Sequence, residues 1–117
     1  MTPREVFDHH AAAIGAGNVD EILKDYTEES IIFTQEGPLK GLKAIRPLFQ
    51  RLVTEIMPPR ATEFEMKQMT IEDDIIYIAW KSSSKFVDIP LGTDTFIVRN
   101  GKIVAQTFTA QIDPKKR

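Results

Sequence analysis

The chain contains no cysteine. That absence removes disulfide staples, thiolate nucleophiles and cysteine-held zinc from consideration. Histidine is almost as scarce: only His9 and His10 occur, side by side. Neighbours on a helix project about 100° apart, so the two cannot close on one ion, and neither a metal nor a cofactor is expected. No apolar run approaches the roughly 20 residues of a membrane-spanning helix. Met1-Thr2-Pro3-Arg4-Glu5 lacks the apolar core of a signal peptide, so a cytoplasmic protein with no membrane partner is expected. Neither sign of charge is in excess: 15 Lys and Arg face 17 Asp and Glu, for a net charge of -2. The one basic run, Lys115-Lys116-Arg117, is a terminal tripeptide of the kind that ends in solvent, and no nucleic-acid partner is expected.

What is present is an ordinary globular composition, 117 residues with 42% hydrophobic and 27% charged. That is enough for one domain burying about two-thirds of its unfolded surface. The domain is read as residues 1–112, followed by a charged tail over 113–117. Thr2-Pro3-Arg4-Glu5 opens a helix with a capping box, and Val6, Phe7, Ala11 and Ile14 recur at helical spacing with His10 and Ala13 on the flank. Gly15 and Gly17 end it. Asn18 and Glu21 cap a second short helix to about Asp25, burying Ile22, Leu23 and Tyr26. Ile31–Gln35 reads as a strand and Glu36-Gly37-Pro38 as a turn. After Gly41 a third helix carries Ile45, Leu48, Phe49, Leu52, Val53 and Ile56, with Pro47 predicting a kink or a later start, until Met57-Pro58-Pro59 stops it.

Everything from Arg60 onward reads as strand. Phe64 and Met66 alternate, then the apolar phase slips to Met69 and Ile71, which predicts a bulge near Lys67-Gln68. Glu72-Asp73-Asp74 turns into a long strand from Ile75 to Phe86, with Ile76, Ile78 and Trp80 on one face and Ile75, Tyr77 and Ala79 on the other. Apolar residues on both faces call for cover on both sides, by helices or by a second subunit. Val87 to Gly92 reads as an irregular loop around Pro90. Thr93–Phe108 is a hairpin about Asn100-Gly101, a dipeptide suited to a type I′ turn. On it Asp94, Phe96 and Val98 share one face, as do Val104, Gln106, Phe108 and Ala110 on the partner strand. Three N-terminal helices followed by consecutive antiparallel strands make an α+β domain, a curved sheet bent into a cone that the helices close. A ligand site then lies within the concave sheet.

The order of these elements, with His10 before Ala13, Gly17-Asn18-Val19-Asp20, Asp25-Tyr26, Gly41-Leu42-Lys43-Ala44-Ile45, Asp94-Thr95-Phe96 and Gly101-Lys102-Ile103, resembles the SnoaL-like branch of the nuclear-transport-factor-2-like superfamily. The resemblance covers nearly the whole chain. It implies a cone-shaped pocket, and a choice among isomerase, cyclase, hydrolase, dehydratase and non-catalytic binding roles that only the site can make. Against the ketosteroid isomerase pattern, the proton-shuttling carboxylate falls on Thr34, which cannot serve as a base near neutral pH. The acid of the oxyanion site falls on Asp94, and the tyrosine donor falls on His10.

The candidate catalytic pair is therefore His10 and Asp94, with Asp94 orienting the imidazole or sharing its proton. Asp94 has an alternative use, capping the strand through nearby backbone or the Thr93 and Thr95 hydroxyls. His10 can equally be a half-buried helix residue, and His9 is read as a surface residue. Phe33, Thr34, Trp80, Phe96, Gln106 and Phe108 are expected to line the pocket, where core and cavity wall are the same surface. Gln106 needs a partner if buried; ligand, water or Asp94 would serve. Tyr26 is read as a packing residue. An epoxide hydrolase would need an arginine among acids, but Arg99 lies opposite Asp94 and Arg46 faces solvent. The reading is a pocket protein that binds, and by cofactor-free acid/base chemistry isomerises, cyclises or dehydrates, a small hydrophobic molecule. Its rival is a ligand carrier or association domain. A homodimer through the outer sheet face is expected for both.

Overall fold

The structure, a computed structural model, describes residues 1–115. Helix α1 (Pro3–Gly15) starts on the expected capping box: Glu5 N–H donates to Thr2 Oγ1 (3.1 Å) and Thr2 N–H to Glu5 Oε1 (2.8 Å). Helix α2 (Val19–Leu23) starts on Asn18, whose Oδ1 accepts from Glu21 N–H. Strands β1 (Ile31–Thr34) and β2 (Gly37–Lys40) follow, then α3 (Leu42–Arg51). The chain ends in β3 (Thr62–Glu72), β4 (Ile75–Ser84), β5 (Val87–Arg99), β6 (Lys102–Ala110) and β7 (Asp113–Pro114).

The strands run in the order β2-β1-β6-β5-β4-β3, with β7 paired to β5 off that path. Every pair is antiparallel except β1 with β6. The path has two free ends, so the sheet curves without closing. Register shifts between Met66 and Gln68, Trp80 and Ser82, and Ile97 and Val98 supply the bends. The first is the bulge expected at Lys67-Gln68. Asn100 and Gly101, at φ 51° and 73°, form the two-residue connection between Arg99 and Lys102.

Several local readings are corrected. Glu36-Gly37-Pro38 is not a simple turn: Gly37–Lys40 pairs with β1, and Pro38 is tolerated because β2 is an edge strand. Val87–Gly92 is not a loop either. It begins β5, with Ile89 against Ser82 and Asp88 against Ser83, after a shift that accommodates the irregularity. The third helix starts at Leu42 despite Pro47, then widens into a π-helical turn over Leu52–Ile56, closed by Met57 N–H donating to Leu52 O (2.6 Å). Val104 is the extra residue of the β6 shift, so Ile103 and not Val104 takes the buried place opposite Val98. The segment read as a tail from residue 113 instead holds to the sheet through Asp113–Pro114 and through Lys115 N–H to Phe86 O (2.9 Å). Lys116 and Arg117 lie outside the described residues.

Pairing places side chains in rows across the sheet. Facing the helices are the rows Ile32·Gln106·Phe96·Ile76, Phe108·Asp94·Ile78·Met69 and Ala110·Gly92·Trp80·Met66. The first is buried to within a few per cent, packed with Val6, Phe7, Ile22, Ile45 and Phe49 from the helices. The opposite face carries the rows Ile31·Ala105·Ile97·Ile75 and Phe33·Thr107·Thr95·Tyr77.

Candidate functional site

Between the concave sheet, α1, the end of α3 and the Met57–Arg60 loop lies a cavity of about 300 Å³. Its wall is mainly apolar, including Phe7, Ile14, Leu48, Phe49, Leu52 and Ile78. Polar side chains are few: His10, Asp94, Gln106, Thr62 and Arg60. A small number of polar groups set in an apolar concavity is the ordinary composition of a small-molecule site.

The sheet register explains how the acid is held. Asp94 lies directly opposite Ile78 and Phe108, so its diagonal neighbours are Trp80 on β4 and Gln106 on β6. Trp80 Nε1 donates to Asp94 Oδ1 (2.8 Å), and Gln106 Nε2 donates to Oδ2 (3.0 Å). The amide oxygen of Gln106 accepts in turn from the Tyr26 hydroxyl. Each carboxyl oxygen thus has one protein donor and capacity for another, and Asp94 lines the cavity. Asp94 is 7% exposed, and burial pushes its carboxyl up to about 6 against the two donors that favour the charged form. Tyr26 is pushed well above its usual range, by burial first and then by the charges of Asp94 and Asp25, so it remains a donor.

Trp80 reaches Asp94 because the residue opposite it is Gly92. A Cβ at Gly92 would lie 2.4 Å from Trp80 Cζ2, inside any tolerable contact. The indole is stacked on Phe64 (centroids 5.6 Å) and Phe108 (6.5 Å), which fixes its plane.

His10 enters from α1 into a ring of aromatic edges, with Phe96 at 5.4 Å, Phe49 at 5.8 Å and Tyr26 at 5.9 Å between centroids. It is 3% exposed, and its Nδ1 has no hydrogen-bond partner among the described residues. Burial, with a smaller contribution from His9, lowers it to about 4, so the imidazole is neutral at neutral pH. His10 and Asp94 line the same cavity but do not bond to each other. The expected carboxylate–imidazole unit is absent, because Asp94 is engaged by Trp80 and Gln106.

Trp80, Phe96, Gln106 and Phe108 line the cavity. Phe33 and Thr34 do not. Phe33 is 49% exposed on the outer face opposite Thr107, because the inward position on β1 belongs to Ile32. Thr34 ends β1, and its hydroxyl donates to Gly37 O (2.9 Å) to tie the β1–β2 turn. His9 is not a free surface residue: its Nδ1 lies 2.7 Å from Asp25 Oδ2 and its Nε2 3.0 Å from Glu21 Oε1. Tyr26 does more than pack. Its part in the network has no local signal, since its partner Gln106 is 80 residues away in sequence. Arg60 also lines the cavity; the segment from Arg60 onward reads as strand in the sequence, but the strand begins at Thr62 and Arg60 lies in the loop before it. Among the described residues no group of His, Asp and Glu is arranged to hold a metal ion, and no helix is long and apolar enough to cross a membrane.

Comparison with known proteins places the fold. No curated protein sequence matches the chain. An epoxide hydrolase/cyclase-like enzyme, SalBIII, associated with pyran ring formation in the polyether salinomycin, is 19% identical with a TM-score of 0.78 over 97% of this chain and 95% of its own. A nuclear-transport-factor-2-like protein of unknown function from Burkholderia xenovorans is 23% identical, with a TM-score of 0.73 over 98% of this chain and 86% of its own. A polyketide cyclase candidate from Sinorhizobium meliloti is 16% identical, with a TM-score of 0.71 over 89% and 93%. At such identities the likeness speaks for the fold alone. The sequence profile of the SnoaL-like domain matches residues 7–106, so this chain belongs to the SnoaL-like family, with a nuclear-transport-factor-2-like fold.

Proposed function

We propose that the cavity binds a small hydrophobic molecule and that Asp94 acts on it as a general acid/base, with His10 as a neutral hydrogen-bonding partner and no cofactor. The observation that carries this reading is the Asp94 carboxyl, buried at the cavity wall, held by one donor on each oxygen and raised to about 6. A carboxyl tuned near the working pH exchanges a proton with least driving-force penalty. Ionised, it accepts a proton from a C–H beside a carbonyl or from a hydroxyl that attacks intramolecularly. The neutral imidazole, in the tautomer with a proton toward the ligand, stabilises the oxygen on which charge develops. That division of labour suits isomerisation, cyclisation or dehydration. SalBIII and a polyketide cyclase candidate share the fold, and the class rests on the site itself. The isomerase pattern with a base on the first strand is not supported, since Thr34 is turned into the β1–β2 turn.

The test is turnover of a panel of cyclic enones, hydroxy-epoxides and β-hydroxy ketones by the wild-type protein and by Asp94→Asn. Asn keeps the size of the side chain and removes the exchangeable proton. Turnover that falls by a factor of about 100 or more supports the role; turnover retained by Asp94→Asn sinks it.

A carrier or association reading draws on the outer face instead. The rows Ile31·Ala105·Ile97·Ile75 and Phe33·Thr107·Thr95·Tyr77 carry no charge across four strands, and Phe33, Ile75 and Tyr77 are 49%, 43% and 37% exposed. A second copy of this chain on that face gives the sheet its missing cover. Sedimentation of the wild type against Tyr77→Glu separates the cases: a dimer that the variant dissolves supports it, and a monomeric wild type removes it.

A further inference from the structure

We infer that the ligand of this cavity is an amphipathic carboxylate, seated with its apolar body inward and its anionic group at the mouth against Arg60. The inference rests on the small-molecule reading above and adds the chemical class. Asp94 and Arg60 are the charged side chains of the cavity, and they occupy opposite ends of the exposure scale, Asp94 buried and Arg60 exposed. Among the described residues Arg60 and Arg51 make no ion pair and no side-chain hydrogen bond, whereas Arg4, Arg46 and Arg99 each hold a carboxylate at 3.0 Å, and of the two unpaired arginines Arg60 is the one that lines the cavity. An exposed arginine among the residues lining an apolar cavity, without a protein anion, is suited to a ligand carboxylate in two-pronged geometry.

The position of Arg60 is built. Its φ is 64°, a left-handed backbone disfavoured for a residue with a side chain. Such conformations persist where neighbouring structure enforces them, and they gather at ligand clamps. Here the neighbours are on both sides. Pro58 O accepts from Ala61 N–H (3.3 Å) and from the Thr62 hydroxyl (2.7 Å), which closes the turn around Arg60. Pro59 packs against the α1–α2 corner so closely that a Cβ at Gly17 would lie 2.6 Å from Pro59 Cγ. The loop is thus clamped to the helical corner on one side and to the start of β3 on the other. Deeper in, His10 lines the cavity as a neutral imidazole, a polar group suited to a neutral oxygen on the inner part of the ligand. An anion placed near Asp94 would meet like charge, so the carboxylate belongs at Arg60 and a neutral oxygen belongs inside.

The test is calorimetric titration of wild type and Arg60→Gln with two matched pairs, cinnamate with cinnamamide and decanoate with decanamide. The amides keep the shape and remove the charge. The expected result is wild-type affinity for the acids about tenfold above that for the amides. Arg60→Gln brings the acids down to the amide level while leaving the amides unchanged, and added salt weakens only the acids. Equal wild-type affinity for acid and amide, or an Arg60→Gln loss shared by both, overturns the inference. Amide binding without acid preference leaves the pocket reading standing while this one falls; no binding by any of the four removes both. Arg60 is exposed, and unchanged melting of Arg60→Gln establishes that the variant is folded.

Discussion

Trp80 and Asp94 are joined by a single 2.8 Å hydrogen bond from indole nitrogen to carboxyl oxygen, across adjacent strands and one diagonal step apart. The bond opposes the burial that raises the acid. Removing the donor while keeping the ring therefore has a defined sign. In Trp80→Phe the charged form of Asp94 loses a hydrogen bond and its pKa rises further above 6, by about one unit if the bond is worth roughly 1.5 kcal/mol to the anion. Carbon-13 titration of the Asp94 carboxyl measures this directly. An unchanged or lower midpoint would show that the indole does not sustain the charge.

The same indole depends on Gly92. Gly92→Ala adds one methyl 2.4 Å from Trp80 Cζ2, in a row closed on its other side by Met66 and Ala110. Over-packing of this kind costs about 1–3 kcal/mol. Because Trp80 is the single tryptophan, its emission reports the displacement without interference. The expected result is a lower urea midpoint together with a shifted emission maximum. A variant matching wild type in both would mean that the ring yields at no cost.

Much of the fold was readable because local signals agreed with the global arrangement. The Thr2–Glu5 capping box, the phase slip at Lys67-Gln68 and the Asn100-Gly101 turn each announce themselves within a few residues. What was misread depended on partners far along the chain. Gly37–Lys40 has the composition of a turn and becomes a strand only because β1 pairs with it. Phe33 looks like a cavity residue until the parallel pairing of β1 with β6 places Ile32 inward. The site divides the same way. Asp94 and Gln106 stand out as polar residues among apolar neighbours, but the Tyr26 hydroxyl and the Gly92 notch follow from register alone, and Arg60 from loop geometry.

His9, on α1, is held by Glu21 on α2 and by Asp25 in the segment that follows it. Glu21 first and Asp25 second raise its pKa by hydrogen bonding. Asp25 itself is 5% exposed, and its main chain accepts from Ile103 N–H (2.7 Å), so the clamp ties α1 and α2 to β6. For a histidine raised in the folded state, the stabilisation is complete below its ordinary value near 6.5 and is lost as pH rises through the higher folded value. His9→Ala is expected to cost about 1 kcal/mol on the acid side of that window and progressively less above it. Urea unfolding of wild type and variant across the range checks this; a cost that grows with pH would contradict the assignment.

His10 and Asp94 make opposite contributions to acid stability. Asp94 is raised from 3.8 to about 6, so the folded state takes up its proton first, and stability increases as pH falls through 6 and is complete below 3.8. His10 is lowered from 6.5 to about 4, so its stabilisation is full above 6.5 and is lost as pH falls toward 4. The two windows overlap almost entirely, and each spans about 2 kcal/mol between neutral pH and roughly pH 4.5. In the wild type they nearly cancel. Asp94→Asn removes the gain and leaves the loss, so this variant is expected to lose about 2 kcal/mol more than wild type over that interval. His10→Phe removes the loss, fills the aromatic ring around it and is expected to gain by a similar amount as pH falls. Denaturant unfolding of the three proteins at the two pH values decides it. Parallel pH profiles for all three would mean that neither group titrates differently in the folded chain, and the buried acid at the centre of the proposed chemistry would lose its basis.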